Sequence, residues 1–324
     1  MNSNRTTLCF KPAVAALAVA AALTGVTPGA WAREGVEVGK QSGFTRLVSA
    51  EQVEQAAAAQ YTQMTTQASQ QGVLLPAQHP QSVRLRAIAQ RMIPFALEWN
   101  KRAPQWRWEV SVVQSKELNA FCMPGGKIVF YTGILEQLKL TDDEVAMIMG
   151  HEMAHALREH ARERMGKTAA TRIGANLLSG LLGLGSVGDT VLNMGGQLLT
   201  LKFSREDESE ADLVGMELAA RTGYDPRAGV SLWNKMAAAA KGAPPQFLST
   251  HPSSSTRIQE IQANLGKVQP LFERAPKPPQ RWDAPSRTGG LQGGEVLAYW
   301  GAGPARLGMP HAAGGSPARD DHGH

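Results

Sequence analysis

Most of the chain has apolar residues at helical spacing, and only two short stretches show the pattern of strands. Residues 50–70 have helical composition with few large apolar side chains, which predicts a peripheral helix. Over 82–99 apolar residues recur every three or four positions, which predicts a core helix kinked at Pro94. Residues 206–221 and 226–240 predict two further helices.

The two predicted strands lie close together in the sequence. Between residues 106 and 112 apolar side chains alternate with Arg, Glu and Ser, which is the period of a half-buried strand. Residues 127–131 are rich in β-branched and aromatic side chains and follow the turn Pro124-Gly125-Gly126. These strands would form or border a small sheet, so the pattern predicts an α+β fold that is predominantly helical.

One predicted helix carries the clearest chemistry. Thr141 and Glu144 have the spacing of a capping box, which predicts a long helix from there to about Met165. This helix contains His151-Glu152-Met153-Ala154-His155. Histidines four residues apart lie on one helix face, about 6 Å apart along the axis, so both imidazoles can reach one zinc ion.

Glu152 stands beside the first of these histidines, where a carboxylate can bind a metal-activated water, take its proton and pass it to a leaving amine. The competing interpretation is a coincidental pair of histidines on a charged surface helix. The apolar residues 145–150 favour a buried helix and hence the metal site. His160 is five and nine residues from these histidines and points away from their face, so a satisfied or solvated histidine is predicted there.

A catalytic zinc needs a third protein ligand, and the acidic run 204–212 is the best source. Glu208 and Asp212 are four residues apart, so Glu208 can bind the metal while Asp212 accepts the far N–H of a ligating histidine. The other three carboxylates of the run are then expected to be solvated. Taken alone, the run is also typical of a charged helix face. The histidine motif upstream favours the ligand interpretation.

The composition is that of an ordinary globular protein, with 324 residues of which 43% are hydrophobic. Residues 1–32 have the pattern of an export signal, with Arg5 and Lys11 before an apolar run and an A-x-A cleavage site at 30–32. Export predicts a periplasmic protein. The alternative is an uncleaved membrane anchor, although the apolar run is shorter than the roughly 20 residues of a spanning helix.

Cleavage of the signal would leave Cys122 as the only cysteine, so no intramolecular disulfide is expected. The net charge of +5 would fall to +3 with the loss of the two signal cations. Such a small surplus gives no reason to expect nucleic-acid binding.

Two segments differ from the rest in composition. Residues 173–201 are apolar and Gly-rich, which predicts a pair of short core helices or, alternatively, a loop that touches a membrane or covers the active site. After residue 268 Pro, Gly and charged residues predict disorder. The predicted organisation is a signal peptide (1–32), an N-terminal helical segment (33–80), a metallopeptidase domain (81–268) and a disordered tail (269–324).

The motifs, taken together and in this order, resemble the HtpX- and BepA-like zinc metallopeptidases, which are related to the type I CAAX prenyl protease. The matching motifs are HEMAH at 151–155, SREDESEAD at 204–212, Ser249-Thr250-His251-Pro252, Asn119-Ala120-Phe121, Pro124-Gly125-Gly126 and Gly223-Tyr224-Asp225-Pro226. Some members have multiple membrane helices and others have tetratricopeptide repeats. This sequence matches neither feature. A soluble, single-domain periplasmic member is therefore expected.

The resemblance implies a gluzincin fold in which His151, His155 and Glu208 bind one zinc ion and Glu152 is the catalytic base. It also implies that His251 lies near the metal, where it stabilises an oxyanion or occupies the open metal position at rest. The alternative for this residue is a loop histidine that caps a helix.

Two further roles follow from the resemblance. Arg257 would support the site by pairing with a carboxylate, or else lie on a helix surface. The strand Lys127-Ile128-Val129-Phe130-Tyr131 would be the edge that borders the active-site helix and pairs with an extended substrate.

The favoured function is a zinc metalloendopeptidase that hydrolyses unfolded or misassembled cell-envelope proteins in periplasmic quality control, with peripheral contact to the membrane or to outer-membrane assembly machinery. One alternative is a latent, chaperone-like binder whose zinc site is blocked by His251 or by residues 173–201. An exopeptidase would need a charged pocket for a substrate terminus, and no residue of the sequence identifies one.

Overall fold

Helices make up most of the part of the chain that the structure describes. A computed structural model describes residues 33–181, 198, 201–240, 245–252 and 255–283. The α-helices are α1 (Ala50–Gln70), α2 (Pro80–Met92), α3 (Thr132–Gln137), α4 (Asp142–Leu157), α5 (His160–Leu181), α6 (Arg205–Arg221), α7 (Ala228–Ala239), α8 (Gln246–Thr250) and α9 (Ser255–Arg274). Short 3-10 helices cover Gly43–Leu47, Ile93–Glu98 and Ala103–Gln105.

Four predicted helices are confirmed, with small shifts at their ends. α1 begins after Ser49, whose side chain accepts a hydrogen bond from the backbone N–H of Gln52. α2 ends at Met92 and the chain continues as a 3-10 helix, because Pro94 lacks the N–H that an α-helix needs. α6 and α7 correspond to the helices predicted over 206–221 and 226–240.

The long helix predicted over 141–165 is wrong in its second half. Thr141 and Glu144 do form the predicted capping box at the start of α4. Beyond the end of α4, however, Glu159 adopts a left-handed conformation with φ of 59°. An L-residue takes this conformation at a cost, and a right-handed helix cannot continue through it. A separate helix, α5, therefore begins at His160.

Within the described residues the sheet has three strands, β1 (Glu109–Val113), β2 (Ala120–Met123) and β3 (Lys127–Tyr131), in the order β1-β3-β2. β3 runs parallel to β1 and antiparallel to β2. The prediction that residues 127–131 form the sheet edge is therefore wrong, because β3 is central and paired on both sides. The edge strand that packs on α4 is β2, which no sequence pattern indicated. The predicted α+β fold, with a sheet edge beside the site helix, is confirmed with this different strand.

Two glycines allow α4 and α6 to pack at close range. A Cβ atom at Gly150 would lie 2.6 Å from the carbonyl oxygen of Gly215. A Cβ atom at Gly215 would lie 2.5 Å from the backbone nitrogen of His151. A side chain at either position would push the helices apart. This contact therefore determines how closely residues of α6 approach those of α4.

A buried ion pair holds the start of α4. Asp142 is fully buried and accepts hydrogen bonds from Arg84 Nε at 2.7 Å and from the backbone N–H of Trp282 at 2.7 Å. Arg84 also donates to the carbonyl of Leu140 at 2.8 Å, and Arg281 lies 3.4 Å from the Asp142 carboxylate. We call these five residues the cap cluster.

The cap cluster corrects the predicted C-terminal boundary. The disorder predicted from residue 269 is wrong as far as Asp283, because α9 continues to Arg274 and the chain then returns to pack on Asp142. The described residues fall in one compact unit that ends at Asp283. The remainder of the predicted tail, 284–324, lies outside the described residues.

Two other predictions concern residues that are largely outside the description. The predicted signal peptide, 1–32, is entirely outside it. Of the Gly-rich stretch 173–201, the first part belongs to α5, which extends to Leu181, and the described remainder is Leu198 and Leu201. Among the described residues, no helix combines the length and apolarity needed to cross a membrane.

Candidate metal centre

Three elements bring the predicted site residues together at the middle of α4. His151, Glu152 and His155 are buried residues of this helix, which is buried on nearly all sides. Glu208 lies in the first turn of α6, and His251 follows α8 directly. All five side chains are buried, although His251 is 100 residues away from His151 in the sequence.

Four of these side chains direct their metal-binding atoms toward one point. The ligand atoms of His151, His155, Glu208 and His251 all lie within 4.8 Å of one another. His151 Nε2 is 3.0 Å from His155 Nε2 and 3.6 Å from Glu208 Oε2, and His155 Nε2 is 3.5 Å from Glu208 Oε1. In a tetrahedral zinc site with bonds of about 2.0–2.1 Å, neighbouring ligand atoms lie about 3.3–3.4 Å apart. The three predicted ligands therefore have a spacing close to that of a tetrahedral zinc site.

The chemistry of this cluster also fits a cation. The two Nε2 atoms at 3.0 Å repel each other when both carry a lone pair, unless a cation or a proton lies between them. In addition, Glu152 Oε1 is buried and has no hydrogen-bond partner among the described residues. Because buried carboxylate oxygens are normally bonded, this one is suited to an additional group such as a water held beside a metal.

Asp212 and Arg257 support the ligands from the opposite side. His151 Nδ1 lies 3.0 Å from Asp212 Oδ1, and a proton donated there leaves Nε2 of the ring for the metal. Arg257 is buried rather than on the helix surface. It donates to the two Asp212 oxygens at 2.6 and 2.7 Å, and its Nη1 lies 2.7 Å from Glu208 Oε2. The guanidinium lies over the ring of Trp233, 3.7 Å from its centre.

Burial shifts the pKa values of Glu152, the predicted base, and of His155, a candidate ligand, in directions that suit these roles. Burial raises the pKa of Glu152 and outweighs the opposing effect of His251 and His151. A raised pKa suits a carboxylate that must accept a proton and later release it. Burial, together with the neighbouring His151, holds the pKa of His155 well below its usual value. A neutral His155 keeps a lone pair available for a metal ion.

Glu208 and Asp212 of α6 are held ionised by their neighbours. Burial alone would raise the pKa of Glu208, but His251, His151 and Arg257 outweigh it and lower the pKa. Burial likewise opposes ionisation of Asp212, yet Arg257 and His151 lower its pKa to about 2. Both carboxylates therefore carry negative charge at neutral pH, which a divalent cation would complement.

His251 lies where the resemblance places it, beside the candidate metal ligands. Its Nδ1 is 2.9 Å from Glu208 Oε1 and 3.3 Å from His151 Nε2, and its Nε2 is 3.5 Å from Glu152 Oε1. The ring stacks on Phe247, with the ring centres 4.6 Å apart. It can therefore contact both a ligand and the base.

Apolar side chains close the centre on the side of β2. Phe203 stacks on His155, with ring centres 3.9 Å apart and planes inclined by 24°. Leu198 and Leu201 line the same small cavity, which has a volume of about 40 Å³ and includes β2 in its wall. The described end of the 173–201 stretch thus lies at the site. No sequence pattern singled out Phe203.

His160 lies in a different place from the one predicted. It is buried, as a satisfied histidine would be, but it faces the site, with its Nδ1 2.9 Å from His155 Nδ1. The prediction assumed a continuous helix, and the break at Glu159 turns the chain between the two histidines. Arg158 and Glu159 give no Gly or Asn signal for such a break, so the sequence offered no means of finding this contact.

Two of the three carboxylates of the acidic run that were expected to be solvated differ from expectation. Glu206 is exposed, as predicted. Asp207, however, is buried in a capping box with Ser204, and Glu210 lies 3.2 Å from His160 Nε2. Only one of the three carboxylates expected to be solvated is therefore fully exposed.

Comparison with known proteins gives a consistent result. Residues 79–265 match the model of peptidase family M48. The mitochondrial metalloendopeptidase OMA1 of Schizosaccharomyces pombe is 35% identical over 199 residues, which cover 60% of this chain and 56% of that protein. The metalloprotease LoiP of Escherichia coli is 32% identical over 158 residues, covering 48% and 61%. The beta-barrel assembly-enhancing protease of Escherichia coli is 28% identical over 171 residues, covering 49% and 35%.

The extent of these matches defines what they show. The chain spans less than two thirds of the length of each of these curated relatives. The family match, in contrast, covers more than half of the present chain and contains every residue of the candidate metal centre. The chain therefore belongs to peptidase family M48.

Proposed function

We propose that this protein is a zinc-dependent metalloendopeptidase with one zinc ion per chain. The observation that supports this most directly is the convergence of His151, His155 and Glu208 beside the buried carboxylate of Glu152, whose Oε1 has no hydrogen-bond partner among the described residues. Two imidazoles and a carboxylate are the ligand set of a gluzincin-type catalytic zinc, and a fourth position is needed for the reaction. The family membership and the names of the relatives agree with this activity.

In the proposed hydrolysis, Glu152 and His251 have distinct roles beside the metal. A bound zinc ion would supply Lewis acidity and lower the pKa of a water molecule to about 7. Glu152 accepts the proton of the attacking water and returns it to the leaving amine. His251, whose Nε2 is 3.5 Å from Glu152 Oε1, is placed to donate to the oxyanion that develops on the substrate carbonyl.

We further propose that the substrate is an extended segment that pairs with β2. Residues Ala120–Met123 pair with β3 on one side, and within the described residues no strand pairs with their other side. Asn119, Phe121 and Pro124 line the cavity that also contains Glu152 and His155. Backbone pairing would carry an extended chain past the base with little dependence on sequence, which suits unfolded proteins.

The proposed setting is quality control of unfolded or misassembled cell-envelope proteins in the periplasm. The export-signal pattern of residues 1–32 supports this location, and an uncleaved anchor remains the alternative. One relative is named as a protease that enhances β-barrel assembly, which supports peripheral contact with outer-membrane assembly machinery or the membrane. Other relatives are named as mitochondrial metalloendopeptidases, so the names of the relatives share the protease activity and not the compartment.

A second candidate function is a latent, chaperone-like binder. The observation that favours it is the closure of the site: all the candidate ligands are buried, Phe203 stacks on His155, and the adjoining cavity measures about 40 Å³. A peptide cannot enter such a space until the residues around Phe203 move. Latency would therefore require a signal that displaces them.

The deciding experiment measures casein cleavage and bound zinc for the purified protein, for Glu152→Gln and for a control, Glu136→Gln, whose side chain is exposed on α3. The proposal expects one zinc per chain in all three proteins and loss of cleavage only in Glu152→Gln. Zinc without cleavage in the unmutated protein would favour the latent binder. Absence of zinc from the unmutated protein would overturn the metallopeptidase proposal.

A further inference from the structure

We infer that His160 and Glu210 are positioning residues for the metal ligand His155. They form a chain of side chains, Glu210–His160–His155, that we call the ligand relay. The inference rests on the proposed function, because it assumes that His155 binds a metal through Nε2. It assigns a role to a histidine and a carboxylate outside the set of candidate ligands.

The contacts of the relay are short and shielded from solvent. His160 is 1% exposed. Its Nδ1 lies 2.9 Å from His155 Nδ1, and its Nε2 lies 3.2 Å from Glu210 Oε2. The left-handed conformation of Glu159 makes this geometry available, because it ends α4 before His160 and starts α5 with that residue. Both ring nitrogens of His160 are thus engaged.

The positions of the protons follow from these contacts. If His155 Nε2 offers its lone pair to a metal, the proton of the neutral ring is on Nδ1 and is donated to His160 Nδ1. His160 Nδ1 must then be an unprotonated acceptor, so its ring carries a proton on Nε2 and donates it to Glu210. Each nitrogen in the relay has a partner of the correct kind. The carboxylate of Glu210 thereby selects the tautomer of His155 through the intervening ring.

The far end of the relay is fixed by a cation. Arg158 Nη2 lies 2.5 Å from Glu210 Oε1 and donates to the carbonyl of Gly39 at 2.5 Å. On the other side of the His155 ring, Phe203 stacks at 3.9 Å. Rotation of His155 is therefore opposed both by a hydrogen bond at its edge and by a ring against its face.

The other zinc-binding histidine has a related but shorter support. His151 Nδ1 contacts Asp212 directly, and Asp212 is paired with Arg257. In both cases an imidazole Nδ1 is linked to a carboxylate that an arginine holds. The second case differs because His160 stands between the ligand and the carboxylate. A histidine that merely filled space would need neither the acceptor at Nδ1 nor the carboxylate at Nε2.

The test compares zinc affinity across a small set of variants, using zinc alone as the probe in competition with a chromophoric chelator. His160→Leu removes the acceptor, and we expect it to weaken zinc binding by roughly 10- to 100-fold, the usual effect of losing an outer partner of a ligating histidine. His160→Asn places an amide oxygen near the former Nδ1 and should recover most of the loss. Glu210→Gln should weaken binding, whereas Glu206→Gln, an exposed acid one turn earlier on α6, should not.

A spectroscopic readout tests the same relay without any substitution. In zinc-loaded protein with ¹⁵N-labelled histidine, NMR should show His155 protonated at Nδ1 and His160 protonated at Nε2 only. A proton on His160 Nδ1 would overturn the inference, as would zinc affinity in His160→Leu equal to that of the parent. If His160→Leu does not fold, His160→Asn, Glu210→Gln and the parent spectrum decide. Failure of the parent to bind zinc would instead overturn the proposed function, so the two failures are distinguishable.

Discussion

Helix α4 carries two buried polar clusters whose hydrogen bonding differs sharply. In the cap cluster at its start, both oxygens of Asp142 accept hydrogen bonds, from Arg84 and from the backbone of Trp282. In the metal centre, ten residues further along the helix, Glu152 Oε1 has no such partner among the described residues. Both carboxylate oxygens of Asp142 find hydrogen-bond partners within the protein. Glu152 Oε1 would gain a partner only from an additional group, such as a water held beside a metal.

This difference separates buried charge that holds a fold together from buried charge that is available for chemistry. Burial raises the pKa of both carboxyl groups, that of Asp142 despite the Trp282 N–H and Arg84, and that of Glu152 despite His251 and His151. The direction of the pKa shift therefore does not distinguish the clusters. The two clusters are distinguished by the number of carboxylate oxygen atoms that have a hydrogen-bond partner.

The largest expected effect comes from breaking the cap cluster. Arg84→Met leaves Asp142 buried with a charge that its main partner no longer compensates, so we expect the free energy of unfolding to fall by about 3–5 kcal/mol. Denaturant unfolding measures this loss. Zinc content and cleavage per folded molecule should be unchanged, because Arg84 touches no residue of the metal centre.

A suitable control is Arg86→Met, two residues along α2, where the side chain donates to the carbonyl of Ser82 in its own helix. We expect a change of about 1 kcal/mol or less. An equal loss for both variants would contradict the assignment of a special structural role to Arg84.

A substitution between the two clusters should damage the metal centre first. In Gly150→Ala the added Cβ would meet the Gly215 backbone at 2.6 Å, so α4 and α6 must separate, and we expect destabilisation of about 1–3 kcal/mol. Because Glu208 is on α6 and His151 on α4, zinc affinity should fall as well. Calorimetry and zinc titration measure the two effects.

Gly266→Ala is the matched control, since that glycine is exposed on α9 and an added Cβ would meet nothing within 4 Å. Here alanine should stabilise the helix by about 0.5–1 kcal/mol. Unchanged zinc affinity in Gly150→Ala would show that the distance between α4 and α6 is not critical for the ligands.

A smaller effect, of opposite sign, is expected at the metal centre. In the metal-free protein, Glu152→Gln replaces a buried carboxylate that lacks a hydrogen-bond partner at Oε1, so the free energy of unfolding at pH 7 should rise by about 1 kcal/mol. Chemical denaturation in the presence of a chelator measures it. Destabilisation as large as that of Arg84→Met would remove the proposed distinction between the two clusters.

The smallest effect is a pH dependence at the edge of the cap cluster. Burial opposes ionisation of Asp283, but Arg281 and the backbone N–H of Asp142 lower its pKa to about 2. A lowered folded-state pKa stabilises the protein above the ordinary value of 3.8, and this contribution is lost as the pH falls toward 2. Asp283→Asn should therefore lower the free energy of unfolding by about 1 kcal/mol or less at pH 7, with the difference disappearing near pH 2.

The measurement is denaturant unfolding of both proteins between pH 7 and pH 2. A difference that grows as the pH falls would have the wrong sign and would contradict the role given to Asp283.

Local patterns in the sequence were sufficient for much of this structure. The capping box of Thr141 and Glu144 depends on residues three apart, and it is present as predicted. The spacing of His151 and His155 places both on one face of α4 because a helix has a fixed period. The position of Glu208 opposite them required the ordered set of motifs in addition to spacing.

Features that depend on the packing of distant segments could not be predicted from local sequence patterns. β3 is central only because β2, a four-residue strand without alternation, pairs with its second side. The break at Glu159 places an L-residue at positive φ, and neither Gly nor Asn marks it. Residues 269–283 have the composition of a disordered tail, but Trp282 is held by Asp142, a partner 140 residues away. The structural propensity of a short stretch of sequence does not reveal partners that lie far away along the chain.

The residues of the candidate metal centre are widely separated along the chain, and this affects the stage of folding at which the site forms. His251 is 100 residues from His151 and 43 from Glu208. Contacts between such distant residues require long loops to close, and they form slowly compared with individual helices. A partly folded chain therefore lacks an assembled centre. On the proposed function, the capacity for hydrolysis would arise late in folding, and only a correctly folded molecule would act on unfolded substrates.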